Sequence, residues 1–357
     1  MIKDRNIYKS LLLIAALLPA LLSCVKESHS CVNCHQEIAF QVFADNEMYV
    51  PEVRSEITQD NISSVTLFAK ANNTNIFAPN ASISINKPQT GVIWKPNTKY
   101  YWNNDVNYIF HGYAHSPIPS GGSLTVNSEG RGVTITQPAT LSFDKGGQAN
   151  TIDYLLSYQV NYEPSNTHQP VPIMLEHALT KVSLYVSRAT SMNSLEISNV
   201  QVKFSKIKNQ ATLFCNKQKD YHKDYETNNE WSYNLGTSVA DYSKIYGNAD
   251  VKDEKNTTGP LMSFIAIPND HEGMRDYQLS LSYDVTIHGT GGAQDTKHSY
   301  SRTFSLYDVS TMWQSGHHVI YKFLIDNGIH LTGSIVDWID VDYIEGTVLP
   351  PIIVDNK

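Results

Sequence analysis

Short runs of alternating apolar and polar residues, closed by Gly, Pro, Asn or Asp, recur along the whole chain. In Glu37 to Ala44, Ile38, Phe40 and Val42 alternate with Ala39, Gln41 and Phe43, a period of two that predicts a strand. Val65 to Ala69, Ser82 to Ile85, Tyr100 to Trp102 and Val106 to Ala114 follow, the last rich in β-prone Val, Tyr, Ile and Phe. Ser123 to Asn127 and Gly132 to Thr136 flank Ser128-Glu129-Gly130 and read as a hairpin, and Tyr154 to Tyr162 as a further strand. Strands of this length with frequent turn punctuation predict a β-sandwich.

The polar stretch from Pro164 to His177, with Pro170 and Pro172, marks a boundary. Beyond it a second series begins with Thr180 to Ser187. It continues through Leu195 to Phe204, Ala211 to Cys215, Leu261 to Ile267, Tyr277 to Ile287, His298 to Leu306, His318 to Ile325 and Ile329 to Val336. Asn216 to Gly259 is long, polar and rich in Asn, Tyr and Lys, and reads as a loop excursion. No amphipathic helix longer than two turns is evident. The expected architecture is all-β, with one sandwich over residues 37–170 and a second over 171–357.

The first residues follow a different pattern. Lys3, Arg5 and Lys9 precede an uncharged run from Leu11 to Leu22, too short for a permanent membrane span and shaped as a secretory signal. Leu21-Leu22-Ser23-Cys24 resembles the lipobox of bacterial lipoproteins. That resemblance implies removal of residues 1–23, acylation of Cys24 and a polar tether over residues 24–36; several acyl chains on one Cys anchor firmly where one alone does not.

The net charge of −8 and the absence of basic clusters give no footprint for nucleic acid. With Cys24 acylated, Cys31, Cys34 and Cys215 remain, too few for a disulfide framework. Cys31-Val32-Asn33-Cys34-His35 matches the c-type haem attachment pattern, but it lies in the tether without apolar wrapping, so a local disulfide or free thiols are expected instead. Cys215 is expected as a small apolar side chain in a strand. His317, His318 and the carboxylates Asp337, Asp340 and Asp342 lack metal-loop spacing. Gly289 to Gly292 joins two strands rather than a strand and a helix, so it is a hairpin loop and no phosphate cradle. No nucleophile-elbow spacing occurs. The expectation is therefore a non-enzyme without cofactor or metal.

Tyr101-Trp102 followed by Tyr108-Ile109-Phe110-His111-Gly112-Tyr113 resembles the first-domain signature of fimbrillin-like proteins. Asp153-Tyr154-Leu155-Leu156, His177-Ala178-Leu179-Thr180-Lys181-Val182, and Trp313, Gly316, Tyr321 and Val336-Asp337-Trp338 are similar to later segments of that family, in the same order. The resemblance implies two transthyretin-like sandwiches and a structural or adhesive subunit, or the anchor, of a type V pilus. It implies an outer-membrane lipoprotein exposed at the surface, whose partners are other subunits added strand by strand and, at the surface, host or bacterial ligands.

In that family an Arg-specific protease removes the lipidated tether with the first strand. Arg54 stands where such a cut would lie, and Ile38, Phe40 and Val42 would belong to the displaced strand. The C-terminal stretch supplies the candidate donor, with Val341, Tyr343, Val348 and Leu349, although Gly346 and Pro350-Pro351 interrupt its register. The alternative is a surface glycan-binding lipoprotein, with Trp231, Tyr233, Tyr242 and Tyr246 exposed in the long loop to stack on sugars.

Overall fold

A computed structural model describes residues 36–44 and 62–337, apart from 78–81, 104, 163–168, 193–194, 216–217, 221–225, 228–230, 248–250, 254–256, 258, 290–293, 310–311 and 327–328. The first series of strands is β1 (Phe40–Ala44), β2 (Ser64–Ala71), β3 (Thr74–Asn75), β4 (Ser82–Asn86), β5 (Tyr108–His115), β6 (Ser123–Val126), β7 (Gly132–Thr136), β8 (Tyr154–Ser157), β9 (Gln159–Tyr162) and β10 (Val171–His177). The second is β11 (Thr180–Arg188), β12 (Glu196–Lys208), β13 (Gln210–Cys215), β14 (Gln218–Asp220), β15 (Glu226–Thr227), β16 (Trp231–Leu235), β17 (Val239–Tyr246), β18 (Met262–Ala266), β19 (Gln278–Ile287), β20 (Thr296–Ser305), β21 (His317–Ile325) and β22 (Ile329–Asp337). Single 3₁₀ turns at Thr190–Met192 and Glu272–Met274 are the helical elements among the described residues. The fold is all-β, as the period-two pattern requires.

The second half holds a two-layer sandwich. One layer runs β18-β11-β21-β22 and the other β17-β12-β19-β20. Val182, Leu184, Phe264, Val319 and Phe323 of the first layer meet Val202, Phe204, Tyr242, Leu279 and Leu281 of the second in one core. The strands here are long: β12 has 13 residues and β19 has 10. Register shifts between Ser198 and Gln201 and between Phe204 and Ile207 bend β12. Asn199 (φ 51°) and Lys206 (φ 62°) occupy left-handed backbone at these two bulges.

The first half is organised around β5. It pairs with β2 along one edge and with both β8 and β9 along the other. The sheet continues from β8 to β10 and then β1, so it closes around Phe110, Leu67, Leu155, Ile173 and Phe40. Gly112 sits where a Cβ would stand 2.8 Å from Leu67 Cδ2 and 3.0 Å from the Thr66 carbonyl, so the β2–β5 approach depends on glycine.

A third core joins the halves. Tyr154 and Leu156 of β8 face Val133 and Ile135 of β7, Leu213 of β13 and Ile265 of β18. β8 is thus apolar on both faces, Leu155 turning into the first core, which explains its unbroken apolar run. β13 pairs with β7, and β14 with β9, so strands of the second series extend the sheets of the first. β10, which lies after the boundary read at Pro170, packs Val171, Ile173 and Leu175 into the first core.

Two readings of local structure need correction. The stretch 216–259, read as a loop, contains β14 to β17. Tyr100 to Trp102, read as a strand, is an extended connection with a single bridge at Tyr101.

Candidate functional site

β1 is built from a five-residue alternation whose inward side chains are apolar. Phe40, Val42 and Ala44 of the strand, with Ile38 just before it, are all buried. The Phe40 ring meets Phe110 edge-on at 5.8 Å, and Phe110 in turn meets Trp102 at 5.6 Å. Such pairs add about 0.5–1.5 kcal/mol beyond the area they bury. Ile38, Phe40 and Val42, expected as the displaced strand, therefore do face one core together.

Both edges of β1 are engaged. On one side it runs parallel to β10, with Phe40 opposite Val171 and Ala44 opposite Leu175, and the Val171 N–H donates to the Ala39 carbonyl at 2.8 Å. On the other side lies the extended segment 94–102. The Phe40 N–H donates to the Trp94 carbonyl at 3.0 Å, and the Trp94 N–H donates back at 2.8 Å. The Ile38 N–H donates to Tyr100 at 2.8 Å, and the Trp102 N–H to Gln36 at 3.0 Å. β1 is an insert between two hydrogen-bonding partners, not a trailing edge.

The sequence explains why β10 tolerates a proline. Alternate N–H groups of a strand point to opposite edges, and Val171 donates toward β1. Pro172 therefore has its missing donor on the side away from β1. There β8 reaches only Leu175 to His177, so no ladder bond is lost at Pro172.

The far end of β10 is fastened inside the molecule. His177 donates from Nδ1 to Asp153 Oδ1 at 3.0 Å, with both residues buried, and the Ala178 N–H donates to the Tyr154 carbonyl at 2.9 Å. Two segments singled out in the sequence, 153–156 and 177–182, thus meet at the junction of β8, β10 and β11. The pair is a fastening between strands.

The signature around β5 resolves into packing roles. Tyr108 and Phe110 enter the first core. The Asn103 N–H donates to Tyr108 Oη at 2.8 Å, though burial dominates and pushes the Tyr108 hydroxyl pKa up. His111 stacks on Phe68 at 4.9 Å and donates from Nε2 to the Glu129 carbonyl at 2.8 Å. Burial outweighs that bond and holds His111 down at about 4, so the ring is neutral near pH 7.

Among the aromatics expected to stack on sugars, Tyr242 and Tyr246 are buried in the second core, where Tyr242 donates to the Pro138 carbonyl at 3.2 Å and Tyr246 to that of Leu261. Tyr233 is half-buried against the third core. That placement takes Tyr242 and Tyr246 out of the expected glycan surface: alternation along β17 turns Ala240, Tyr242 and Tyr246 inward. Trp231 lies in β16, opposite Cys215. Cys215 itself is buried at the end of β13. Cys24, Cys31, Cys34, Arg54, Val341, Tyr343, Val348 and Leu349 fall outside the described residues.

A family model described as fimbrillin-like matches residues 53–338. Among solved structures, a fimbrial protein from Bacteroides vulgatus superposes with a TM-score of 0.54 at 13% identity, over 85% of this chain and 100% of that one. A candidate cell adhesion protein from Bacteroides uniformis gives a TM-score of 0.51 at 14% identity, over 85% and 99%. Another from Bacteroides ovatus gives 0.50 at 14%, over 87% and 100%. At these identities the likeness is one of fold. No curated protein matches the chain.

Proposed function

The chain belongs to the fimbrillin-like family, and from that premise we propose that it is a structural, adhesive subunit or anchor of a cell-surface fimbria, exported as a lipoprotein on Cys24 and assembled by strand exchange. The observation that carries this reading is β1. It fills an apolar slot, bonds to neighbours on both edges, and precedes a connector that contains Arg54. The family match begins at residue 53 and leaves β1 outside it.

Cleavage after Arg54 severs β1 and the lipidated tether from residues 55–357 by one broken bond. Loss of β1 exposes the side chains that Ile38, Phe40 and Val42 cover, each worth roughly 1.5–3 kcal/mol when fully buried. It also leaves N–H and C=O groups of β10 and of residues 94–102 unpaired. An extended strand from the next subunit satisfies both needs at once. The donor assigned to this role is the stretch 341–354, with Val341, Tyr343, Val348 and Leu349 as its apolar contacts. A donor that reproduces the bonds of β1 runs parallel to β10. No catalytic residue, metal or cofactor enters this mechanism.

The test is the N-terminus of protein recovered from the cell surface. A start at Ser55 supports processing and exchange. An acylated Cys24 on every molecule in assembled fimbriae overturns the exchange step and leaves a permanently anchored subunit.

A further inference from the structure

A cavity of about 370 Å³ opens between the loop 117–119 and the loop 142–151, within the size range of small-ligand sites (roughly 300–1,000 Å³). Its walls are set before any ligand arrives. On one side, the Gly122 N–H donates to the Pro119 carbonyl at 3.0 Å with Gly121 at φ 79°, a type II turn stiffened by two prolines. On the other, Asp144 Oδ1 accepts from the Gln148 N–H at 2.9 Å and Asn150 Oδ1 from the Ser142 N–H at 2.8 Å. Gly147, at φ 81°, lies so close to β18 that a Cβ would stand 2.5 Å from the Leu261 carbonyl. The Ser263 N–H donates to the Gly147 carbonyl, and the Ala149 N–H to that of Ser263, both at 2.8 Å, which stitches this loop to β18. Beside the cleft, Ser116 ties the ends of the two loops: its Oγ donates to the Thr151 carbonyl at 3.5 Å and accepts from the Asp153 N–H at 2.8 Å.

The lining has a defined chemistry. Pro117, Ile118, Pro119 and Phe143 give flat or apolar surface. Ser142, Asp144, Gln148 and Asn150 add polar groups, and the bonds above leave the Ser142 hydroxyl, the Gln148 side-chain amide and the Asn150 Nδ2 group without a partner among the described residues. Among the described residues no Lys or Arg is in the lining itself; Lys244 Nζ stands over the Phe143 ring, 5.2 Å from its centroid, and the lining carboxylate Asp144 opposes an anion. A neutral ligand with apolar C–H faces and several hydroxyl groups fits this combination. We propose that the cleft between loops 117–119 and 142–151 binds a neutral saccharide unit. The proposal goes beyond subunit assembly and uses neither Cys24 nor Arg54, so it stands or falls apart from strand exchange. It also places sugar recognition away from the stretch 216–259.

The experiment is to screen the purified full chain against an array of neutral, sialylated and sulfated oligosaccharides, then titrate a captured neutral sugar by calorimetry. Ile118→Trp fills the mouth from an exposed position, and Phe143→Leu removes the ring while keeping apolar bulk. Ile287→Trp, at an exposed site on β19, is the control. Capture of neutral sugars is expected, weakened at least about tenfold, or 1.4 kcal/mol, by each of the first two variants at unchanged melting temperature, and untouched by the control. Absence of neutral-sugar capture, preference for the anionic sugars, or equal affinity of Ile118→Trp and the parent would overturn it.

Discussion

The two large cores of this molecule are assembled differently. The second is enclosed by long strands that pair along most of their lengths: β12 and β19, β11 and β21, β21 and β22. The first is enclosed by short strands around an aromatic cluster of Phe40, Trp102, Tyr108, Phe110 and Tyr162. One of those strands, β1, is separated from β2 by residues 45–63, so a single cut in that interval breaks its covalent link to every other strand and leaves it held by hydrogen bonds and packing alone. In the second core a single cut near the C-terminal end reaches only β22, an outer strand bonded to β21, whereas β11, β12 and β19 lie mid-chain. The difference teaches where exchange is physically cheap. A core whose closure depends on one end-segment can swap that segment and leave its other walls standing.

The sharpest way to break this comparison is to weaken the insert itself. Phe40→Ala is expected to destabilise the first core by about 3–5 kcal/mol, the range for a buried Phe truncated to Ala. Hydrogen exchange read by mass spectrometry should show faster exchange in β5 and β10 with β12 and β19 unchanged. Uniform acceleration across both halves would mean that the cores fold as one unit and that β1 is not a separable insert.

Acid should separate the two halves next. His111 is held down at about 4 against an ordinary value of 6.5, so the unfolded chain binds its proton first. The stability this contributes is complete above pH 6.5 and is lost as pH falls from there to about 4. In the second half, Lys297 is the foremost of the donors holding the Asp284 carboxyl well below the carboxylate range, with Ser299 and Asn199 adding to it. That contribution is present above the ordinary value of 3.8 and is lost only at lower pH. Urea titrations between pH 7 and pH 4.5 should therefore show the first half weakening, at the face of β5 that packs His111 on Phe68, and His111→Phe should flatten that slope.

Smaller effects sharpen the picture at the junction. Asp153→Ala strips the acceptor from the buried His177 Nδ1 and is expected to cost about 1–3 kcal/mol by chemical denaturation. It should also loosen β10, seen as faster exchange at Val171 to Leu175. Tyr242→Phe deletes only the bond to the Pro138 carbonyl and should cost about 0.5–1.5 kcal/mol. A larger loss of sugar binding than of stability in Tyr242→Phe would restore the aromatic-loop reading that its burial removes.

Much of the fold was readable because period two needs no long-range information. Strands β2, β5, β11, β19 and β21 sit where Val65 to Ala69, Val106 to Ala114, Thr180 to Ser187, Tyr277 to Ile287 and His318 to Ile325 alternate. β10 was hidden by Pro172 and the preceding Pro170, although Val171, Ile173 and Leu175 alternate with Pro172, Met174 and Glu176. Only the pairing with β1 shows why Pro172 is harmless. β16 and β17 were hidden by polar outward faces, with Ser, Asn and Asp between the inward residues. The third core had no local signal, since it depends on β13 finding β7 some eighty residues earlier. Ile38, Phe40 and Val42 were legible as one apolar face; their second hydrogen-bonding partner, residues 94–102, was legible only at Tyr100 to Trp102, because the rest of that segment lacks a regular strand pattern.

The central claim is that β1 is a removable insert whose slot accepts another strand. Cleave the purified chain at Arg54 with an Arg-specific protease, using an Arg54→Ala chain to identify any effect of other cuts. Follow particle mass by light scattering with and without a synthetic peptide of residues 36–45. The account predicts that the cut chain releases residues up to Arg54 and grows into polymers, that excess peptide suppresses growth, and that the Arg54→Ala chain stays monomeric. A cut chain that remains monomeric with β1 still seated, or polymers that grow equally well in excess peptide, would contradict it.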